Sequence, residues 1–352
     1  MRRFSMMAQA LTRAAVLTLS IFGAGKGAQA WGFQNLEASV PCADGQCLAT
    51  SGGTDLSDLS QVHDHLRRPI NIFAKNGKDP REPQPQTDKW KKYGPIGIVR
   101  TNGEIPNLDT GASIKGGRST AFLVSPCHVL TNYHSVFGSA ENPQPGTYDA
   151  TFFIGAPDGR YPKHRIRARP VFRTSADGRS HKLVGGRWDP KNVGEDWVLM
   201  QLDSCIGSTV GWMELRAVDR EVIQKPDFFV SMAGFPDDKD TGKDDVLQLW
   251  MHRKCQALFY ISRSHGWGHD CAARPGASGS PMFFEDEAGN PLVFAFHSGA
   301  MKGQEEILKV FLRSKRNEAV DIGYVLPQIE DIIEAAKRQF GYKNRGRSPG
   351  EL

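Results

Sequence analysis

Three stretches of this chain carry the residue types of nucleophilic acyl transfer. The first is Arg274-Pro275-Gly276-Ala277-Ser278-Gly279-Ser280-Pro281. A serine between glycines in a tight loop can expose its hydroxyl while neighbouring N–H groups converge on one point, as stabilisation of a developing oxyanion requires. Alone, the stretch is equally well a plain turn. It does not fit the G-x-S-x-G elbow, because position 280 is Ser, and it is no phosphate loop, because no Lys follows. A serine hydroxyl is inert without a base held in the right tautomer. The second stretch, Ser125 to Phe137, reads as a strand ending in His134. The third, Glu195-Asp196-Trp197-Val198-Leu199-Met200-Gln201-Leu202, places Asp196 at the mouth of an apolar strand. Taken singly, that histidine is a surface or core residue and that acid is turn chemistry. Together, a nucleophile, a base and an orienting acid are present.

A metal reading is weaker. His265-Gly-Trp-Gly-His269 with Asp270 has no H-E-x-x-H pattern, and Gly266 and Gly268 make the stretch a loop, not a helix that would align both histidines. Neither a metal nor a cofactor is expected.

The elements that must position these residues are short. From Pro95 onward, apolar or alternating runs recur at 96–99, 121–124, 128–131, 151–154, 196–202, 227–233, 256–261, 280–284 and 292–296. Gly, Pro, Asn and Asp clusters separate them, the texture of a β sandwich or barrel. The 37 Gly and 21 Pro among 352 residues agree with a turn-rich all-β chain. One helix stands out at the end, where Ile329, Ile332, Ile333, Ala336 and Phe340 share a face and Pro327 lies near the start.

The N-terminus reads as a leader. Arg2, Arg3 and Arg13 precede or flank a short apolar run, and Ala28-Gln29-Ala30 fits a cleavage site, so residues 1–30 are expected to be a secretory signal. No later run reaches the ~20 apolar residues of a membrane helix, so no stable membrane insertion is expected after its removal. Losing Arg2, Arg3, Arg13 and Lys26 lowers the formal charge of +5 to +1, because 1–30 holds no acid. A nearly neutral mature chain argues against nucleic acid as a partner. Basic stretches at 163–170 and 313–316 read as solvated faces. All six cysteines follow the leader, and an even count in an exported chain points to disulfides. Residues 31–92 read as an extension or propeptide, with a short helical pattern (Leu56, Leu59, Val62, Leu66) and a Pro- and Lys-rich linker. Residues 344–352 read as a loose tail.

At this point the sequence resembles the chymotrypsin-like (trypsin-like) serine proteases, in particular the bacterial V8 or glutamyl-endopeptidase-like branch. The resemblance rests on F-L-V-S-x-x-x-V-L-T-x-x-H ending at His134 and D-x-x-L-x-x-L starting at Asp196. It rests equally on G-F-P at 234–236, G-x-S-G-S-P at 276–281 and the strand before His297-Ser298-Gly299. It spans about residues 95–340, in family order. It implies two six-stranded antiparallel β-barrels with a C-terminal helix, a domain over 93–343 with its internal boundary near 205–225. It implies an exported serine endopeptidase, secreted or periplasmic and monomeric, acting on peptide or protein substrates through an acyl-enzyme. A catalytically silent binding module of the same fold is the alternative.

By the same resemblance, Ser278 would attack the scissile carbonyl, His134 would serve as base and then acid, and Asp196 would orient the imidazole. Backbone N–H groups of Gly276 and Ser278 would form the oxyanion hole. His297, Ser298, Gly299 and Ala273 would line the substrate cleft, with Ser298 hydrogen-bonded to Asp196. The implied pairs are Cys127–Cys205 and Cys255–Cys271, leaving Cys42–Cys47. Ala277 departs from the pattern by replacing the aspartate that pairs with a freed N-terminal amine in the trypsin branch. Ser135 replaces a cysteine. Ala272 and Ala273 stand where an acid would lie at the base of the specificity pocket, which argues against a preference for Arg or Lys. His297 matches a histidine directed at acidic side chains in glutamyl endopeptidases; small apolar side chains are the competing preference.

Overall fold

The short apolar runs become strands in the computed structural model. It describes residues 78–340 apart from 85–91, 102–103, 107–112, 116, 139, 155–163, 190, 240–247 and 301–316. The expected signal, the Cys42–Cys47 pair, the 56–66 helical pattern and the tail lie outside the described residues. The first half holds β1 (Arg81–Pro83), β2 (Ile96–Thr101), β3 (Glu104–Pro106), β4 (Ser113–Lys115), β5 (Arg118–Ser125) and β6 (His128–Thr131). It continues with β7 (Ala150–Ile154), β8 (His164–Pro170), β9 (Phe172–Thr174), β10 (His181–Leu183) and β11 (Val198–Leu202). The second half holds β12 (Glu214–Leu215), β13 (Val230–Gly234), β14 (Trp250–Cys255), β15 (Ala257–Ile261) and β16 (Gly266–His269). Then come β17 (Pro281–Glu285), β18 (Pro291–Ala300), β19 (Asn317–Asp321) and a helix over Ile322–Phe340.

Strands β11-β6-β5-β2-β7-β8 close a six-stranded antiparallel barrel. In β8, Ile166, Ala168 and Pro170 turn inward while Arg165, Arg167 and Arg169 face water, the period of two that a half-buried strand requires. Arg167 and Arg169 pair with Asp149 and Asp203, so this basic stretch is a solvated strand face.

The second half forms a curled sheet in the order β1-β14-β13-β17-β18-β19-β16-β15. Its hydrogen-bond ladder does not close, unlike the barrel expected. Only Gln256 separates β14 from β15, however, so the chain itself joins the two ends of the path. Counting β14 and β15 as one bent strand leaves six around the ring. Two short strands decorate it: β1 on β14, and β12 parallel to β18.

Three buried clusters explain why the strands read as nearly continuous apolar runs. Ala121, Leu123, Val129, Phe152 and Met200 fill the first barrel, and Met232, Trp267, Met282 and Phe294 fill the second. Between them, Ile96, Ile98, Phe122, Leu130, Phe235, Phe283, Phe296 and Val320 form a core shared by both halves. Alternate residues of β5 thus enter different cores, and both faces are buried. The C-terminal helix adds Ile322, Val325, Ile329 and Ile333 to the shared core. Pro327 lies inside the helix, which begins earlier than expected, and Phe340 is exposed at its end.

Disulfides Cys127–Cys205 and Cys255–Cys271 are present. The first links the β5–β6 turn to the end of β11, joining residues 78 positions apart. On the chain-entropy model such a closure is worth about 4–5 kcal/mol. The second fastens the bend at Gln256.

Three histidines of these sheets are held neutral by burial. His128 is lowered to about 4, His297 to about 3, and His269 well below the ordinary value. The unfolded chain therefore binds more protons than the fold below pH ~6.5, and stability rises with pH between about 4 and 6.5. Melting temperature is expected to fall steadily from pH 7 to pH 4.5. His128→Asn should remove about 2–3 kcal/mol of that dependence, at roughly 1.4 kcal/mol per pKa unit. Equal melting curves for the two proteins across this range would contradict the assignment.

Candidate active site

Antiparallel pairing of β6 with β11, with Val198 opposite Thr131, brings the residue after one strand beside the residue before the other. His134 sits in the one-turn helix Tyr133–Phe137 that follows β6. Asp196 ends the 3₁₀ turn Val193–Glu195 that precedes β11. The Asn132 amide nitrogen donates to the Asp196 carbonyl at 2.9 Å, fixing the two turns to each other. Ser278 comes from the other half of the molecule.

The Asp196 carboxylate is 1% exposed and accepts three hydrogen bonds. Its donors are the His134 N–H at 2.9 Å, His134 Nδ1 at 2.7 Å and the Ser298 hydroxyl at 2.5 Å. An ionised carboxylate only accepts, so Nδ1 carries the imidazole proton and Nε2 presents its lone pair. His134 Nε2 lies 3.1 Å from Ser278 Oγ, and the Ser298 carbonyl is 3.2 Å from the same oxygen. A serine proton in this position has a base to receive it.

The serine loop is fixed from behind. Thr120 N–H bonds the carbonyls of Gly276 and Ser278 at 3.1 and 2.8 Å, and Thr120 Oγ1 adds a bond to Gly276 at 3.0 Å. Gly279 N–H donates to the His297 carbonyl at 2.8 Å. Gly276 and Gly279 have φ of +88° and +82°, and a Cβ on Gly279 would come within 2.0 Å of the Thr120 carbonyl. Glycine is required there. With their carbonyls tied to β5, the N–H groups of Gly276 and Ser278 bond no protein acceptor among the described residues. They remain available to an incoming oxygen. The Ala277 methyl is buried in the core of the second half, where a carboxylate would need a cationic partner.

The residues packed behind this loop are buried and uncharged. Ala272 and Ala273 are buried, and Ala272 N–H donates to His252 Nδ1 at 2.9 Å. Cys271 N–H donates to His269 Nδ1, so His269 carries its proton on Nε2, 3.2 Å from His297 Nδ1. His297 must then hold its own proton on Nε2. Burial, reinforced by the nearby His134, keeps His297 uncharged. Gly299 follows at a bulge of β18 with open space where a side chain would stand.

His265 and His269 diverge. His265 stacks on Tyr324 at 4.1 Å, whereas His269 enters the sheet toward His297. The Gly266-Trp-Gly-His269 stretch is strand β16, not a loop: a Cβ on Gly266 would strike Val193, and one on Gly268 would strike the Phe259 ring. Thr120, Asn132 and His252 escaped the sequence reading, and His269 entered it only as a candidate metal ligand. Their contacts join residues far apart in the chain, and no spacing announces them.

The trypsin family model matches residues 101–317 of this chain, more than half of it. The chain belongs to the trypsin family. Its trypsin-like domain is that of a serine peptidase, and the closed barrel, curled sheet and C-terminal helix described above match the chymotrypsin-like fold. Among solved structures, a Glu endopeptidase in complex with MPD matches with a TM-score of 0.50 at 16% identity, covering 74% of this chain and 98% of that one. The protease Anisep from Arthrobacter nicotinovorans matches at 13% identity with a TM-score of 0.44, covering 68% and 96%. The first likeness is one of fold. No curated protein sequence matches the chain. No helix among the described residues is long and apolar enough to cross a membrane.

If this trypsin-family site reacts, Asp196→Asn should leave the fold intact and lower kcat by roughly 10⁴. The neutral amide would turn the imidazole proton toward Ser278. Ser298→Ala, which removes one of three donors to Asp196, should cost about tenfold, near the ~1.4 kcal/mol of one charge-assisted bond. Turnover of a chromogenic peptide by the purified variants measures both. Full activity in Asp196→Asn would overturn the arrangement.

Proposed function

We propose that this chain is an exported serine endopeptidase that hydrolyses peptide bonds through His134, Asp196 and Ser278. The observation that carries the reading is the unbroken row Asp196 Oδ2, His134 Nδ1, His134 Nε2, Ser278 Oγ, with steps of 2.7 and 3.1 Å. Two unengaged N–H groups lie on the serine loop. Ser278 Oγ attacks the substrate carbonyl carbon while its proton passes to His134 Nε2. The carbonyl oxygen, now negative, takes hydrogen bonds from the N–H of Gly276 and Ser278, each worth roughly 3–4 kcal/mol in such sites. His134 returns the proton to the leaving amine, and the acyl group stays on Ser278. Water then attacks the ester by the same route with the same base, releasing the acid and restoring the serine. Asp196 keeps the imidazole in one tautomer and balances its transient charge.

Specificity follows from the neutral pocket. With Ala272 and Ala273 at its base, no anion meets Arg or Lys. His297, fixed by His269 as a neutral Nε2 donor, suits a substrate carboxylate better than a purely apolar pocket would. Acidic side chains before the scissile bond are therefore the favoured substrates, and small apolar ones the second reading, supported by Gly299 and the two alanines. The leader at 1–30 and the two disulfides support export, since such bonds persist in oxidising compartments.

A fluorophosphonate probe tests the reaction. Ser278 is expected to be the modified residue, and Ser278→Ala should abolish labelling and lower turnover on the order of 10⁶. Label on another serine would overturn the assignment of Ser278, and no label on a folded wild-type chain would favour the silent binding module.

A further inference from the structure

Strand β1 comes from the stretch that the sequence presents as a linker, yet it is firmly attached. Arg81, Glu82 and Pro83 pair with His252, Met251 and Trp250 of β14. Gln84 N–H continues the ladder to the Leu249 carbonyl at 2.9 Å, and Arg253 bonds the Gln84 side chain at 2.9 Å. Arg81 is 6% exposed and its guanidinium is shared between two carboxylates. Nε and Nη2 bond Asp79 at 3.0 and 2.7 Å, and Nη1 and Nη2 bond Asp238 at 2.9 and 2.6 Å. Lys239 Nζ, 2.9 Å from Asp79, closes the cluster.

Asp238 belongs to the Gly234-Phe235-Pro236-Asp237-Asp238-Lys239 loop that supports the oxyanion peptide. Asp237 N–H donates to the Pro275 carbonyl at 2.7 Å, and Asp237 Oδ1 pairs with Arg118 of β5 at 2.8 Å. The same carboxylate oxygen occupies the space beside Gly276, 2.4 Å from where a Cβ would stand. Phe235 N–H reaches Thr120 Oγ1 at 3.0 Å, the hydroxyl that holds the Gly276 carbonyl. On the other side of the strap, His252 lies opposite Arg81 and takes the Ala272 N–H at the pocket base. Arg81 thus reaches the Gly276 peptide through its ion pair with Asp238 and the adjoining Asp237, and Ala272 through His252, its partner across the β1–β14 ladder.

We propose that Asp79–Gln84 is a permanent strap of the working enzyme and that Arg81, through Asp238 and Asp237, is a positioning residue for the Gly276 oxyanion donor. The proposal rests on the peptidase reading above. It assigns to an internal arginine the support that Ala277 cannot receive from a chain terminus. The extension is therefore not wholly disposable: the active form must begin upstream of Asp79.

The test uses the full chain with Arg81→Met, Arg81→Lys, Asp238→Asn and the Arg81→Met/Asp238→Asn double variant. Asp79 and Asp238 are about a third exposed and Asp79 keeps Lys239, so loss of the guanidinium leaves no fully buried orphan charge. Peptide turnover is measured, together with kcat/KM for an oxo ester and its thiono analogue. Sulfur accepts hydrogen bonds poorly, so a damaged oxyanion hole reduces the preference for the oxo ester. Arg81→Met and Asp238→Asn should each lower kcat tenfold or more, move KM less than threefold and reduce that preference. The double variant should be no worse than Arg81→Met by more than twofold, and Arg81→Lys should fall between Arg81→Met and wild type. If Arg81→Met is not recovered folded, Asp238→Asn decides by the same readouts. Unchanged kcat in both single variants, or lost stability with an unchanged ester preference, overturns the strap while the peptidase reading stands. So does an active form that starts near residue 90 and has lost the strap. A wild-type chain that neither hydrolyses nor labels overturns both.

Discussion

A hydroxyl on one sheet and an imidazole on another must stay within hydrogen-bond reach, and only the packing between the two halves can enforce this. The shared core does so with Phe122 and Leu130 from the first barrel against Phe235, Phe283 and Phe296 from the second. Close-packed interiors resist displacement of even a methylene, so the 3.1 Å between His134 and Ser278 inherits the stiffness of that core. Polar contacts then convert stiffness into direction. Thr120 sits on β5 between residues that enter the core, and its N–H and hydroxyl hold the serine loop by its carbonyls. A strand of the histidine's barrel thereby grips the loop of the serine. Slippage between the halves would break these three Thr120 hydrogen bonds as well as apolar contact.

How much of this was legible follows from the range over which each feature acts. Short-range features were readable. The runs that became β5, β6, β11, β17 and β18 carry alternation or flanking turns within a few residues, and the helix carries its own period. The order His134, Asp196, Ser278 was readable because each lies in a local pattern and the patterns recur together. Hidden features depend on partners distant in sequence. Strand β1 is three residues ending in Pro83, too short to show a period, and becomes a strand only because β14 offers an edge. Strand β16 reads as a loop because Gly266 and Gly268 signal turns; the reason for them is the approach of Val193 and Phe259. The ring of the second half closes through a bend at Gln256, which no local rule distinguishes from two strands joined by a turn. Arg81 was hidden among the charges of a Pro-rich stretch, where solvated side chains are the ordinary expectation.

The polar groups divide by charge in a way that the chemistry can use. Burying an ion is costly unless donors replace its water, and Asp196 has three, which lets a charge persist at 1% exposure beside the imidazole that must become positive. The histidines on the far side of the serine receive no carboxylate. His269 accepts a backbone N–H and donates to His297, so each ring is satisfied while uncharged, and burial then holds both in that state. A second buried imidazolium there would compete with His134 for the field of Asp196 and raise the cost of its protonation. Keeping His297 neutral leaves the negative field of Asp196 to His134 alone. Ser278 thus has the charged Asp196–His134 pair on one side and the neutral His297–His269 pair on the other.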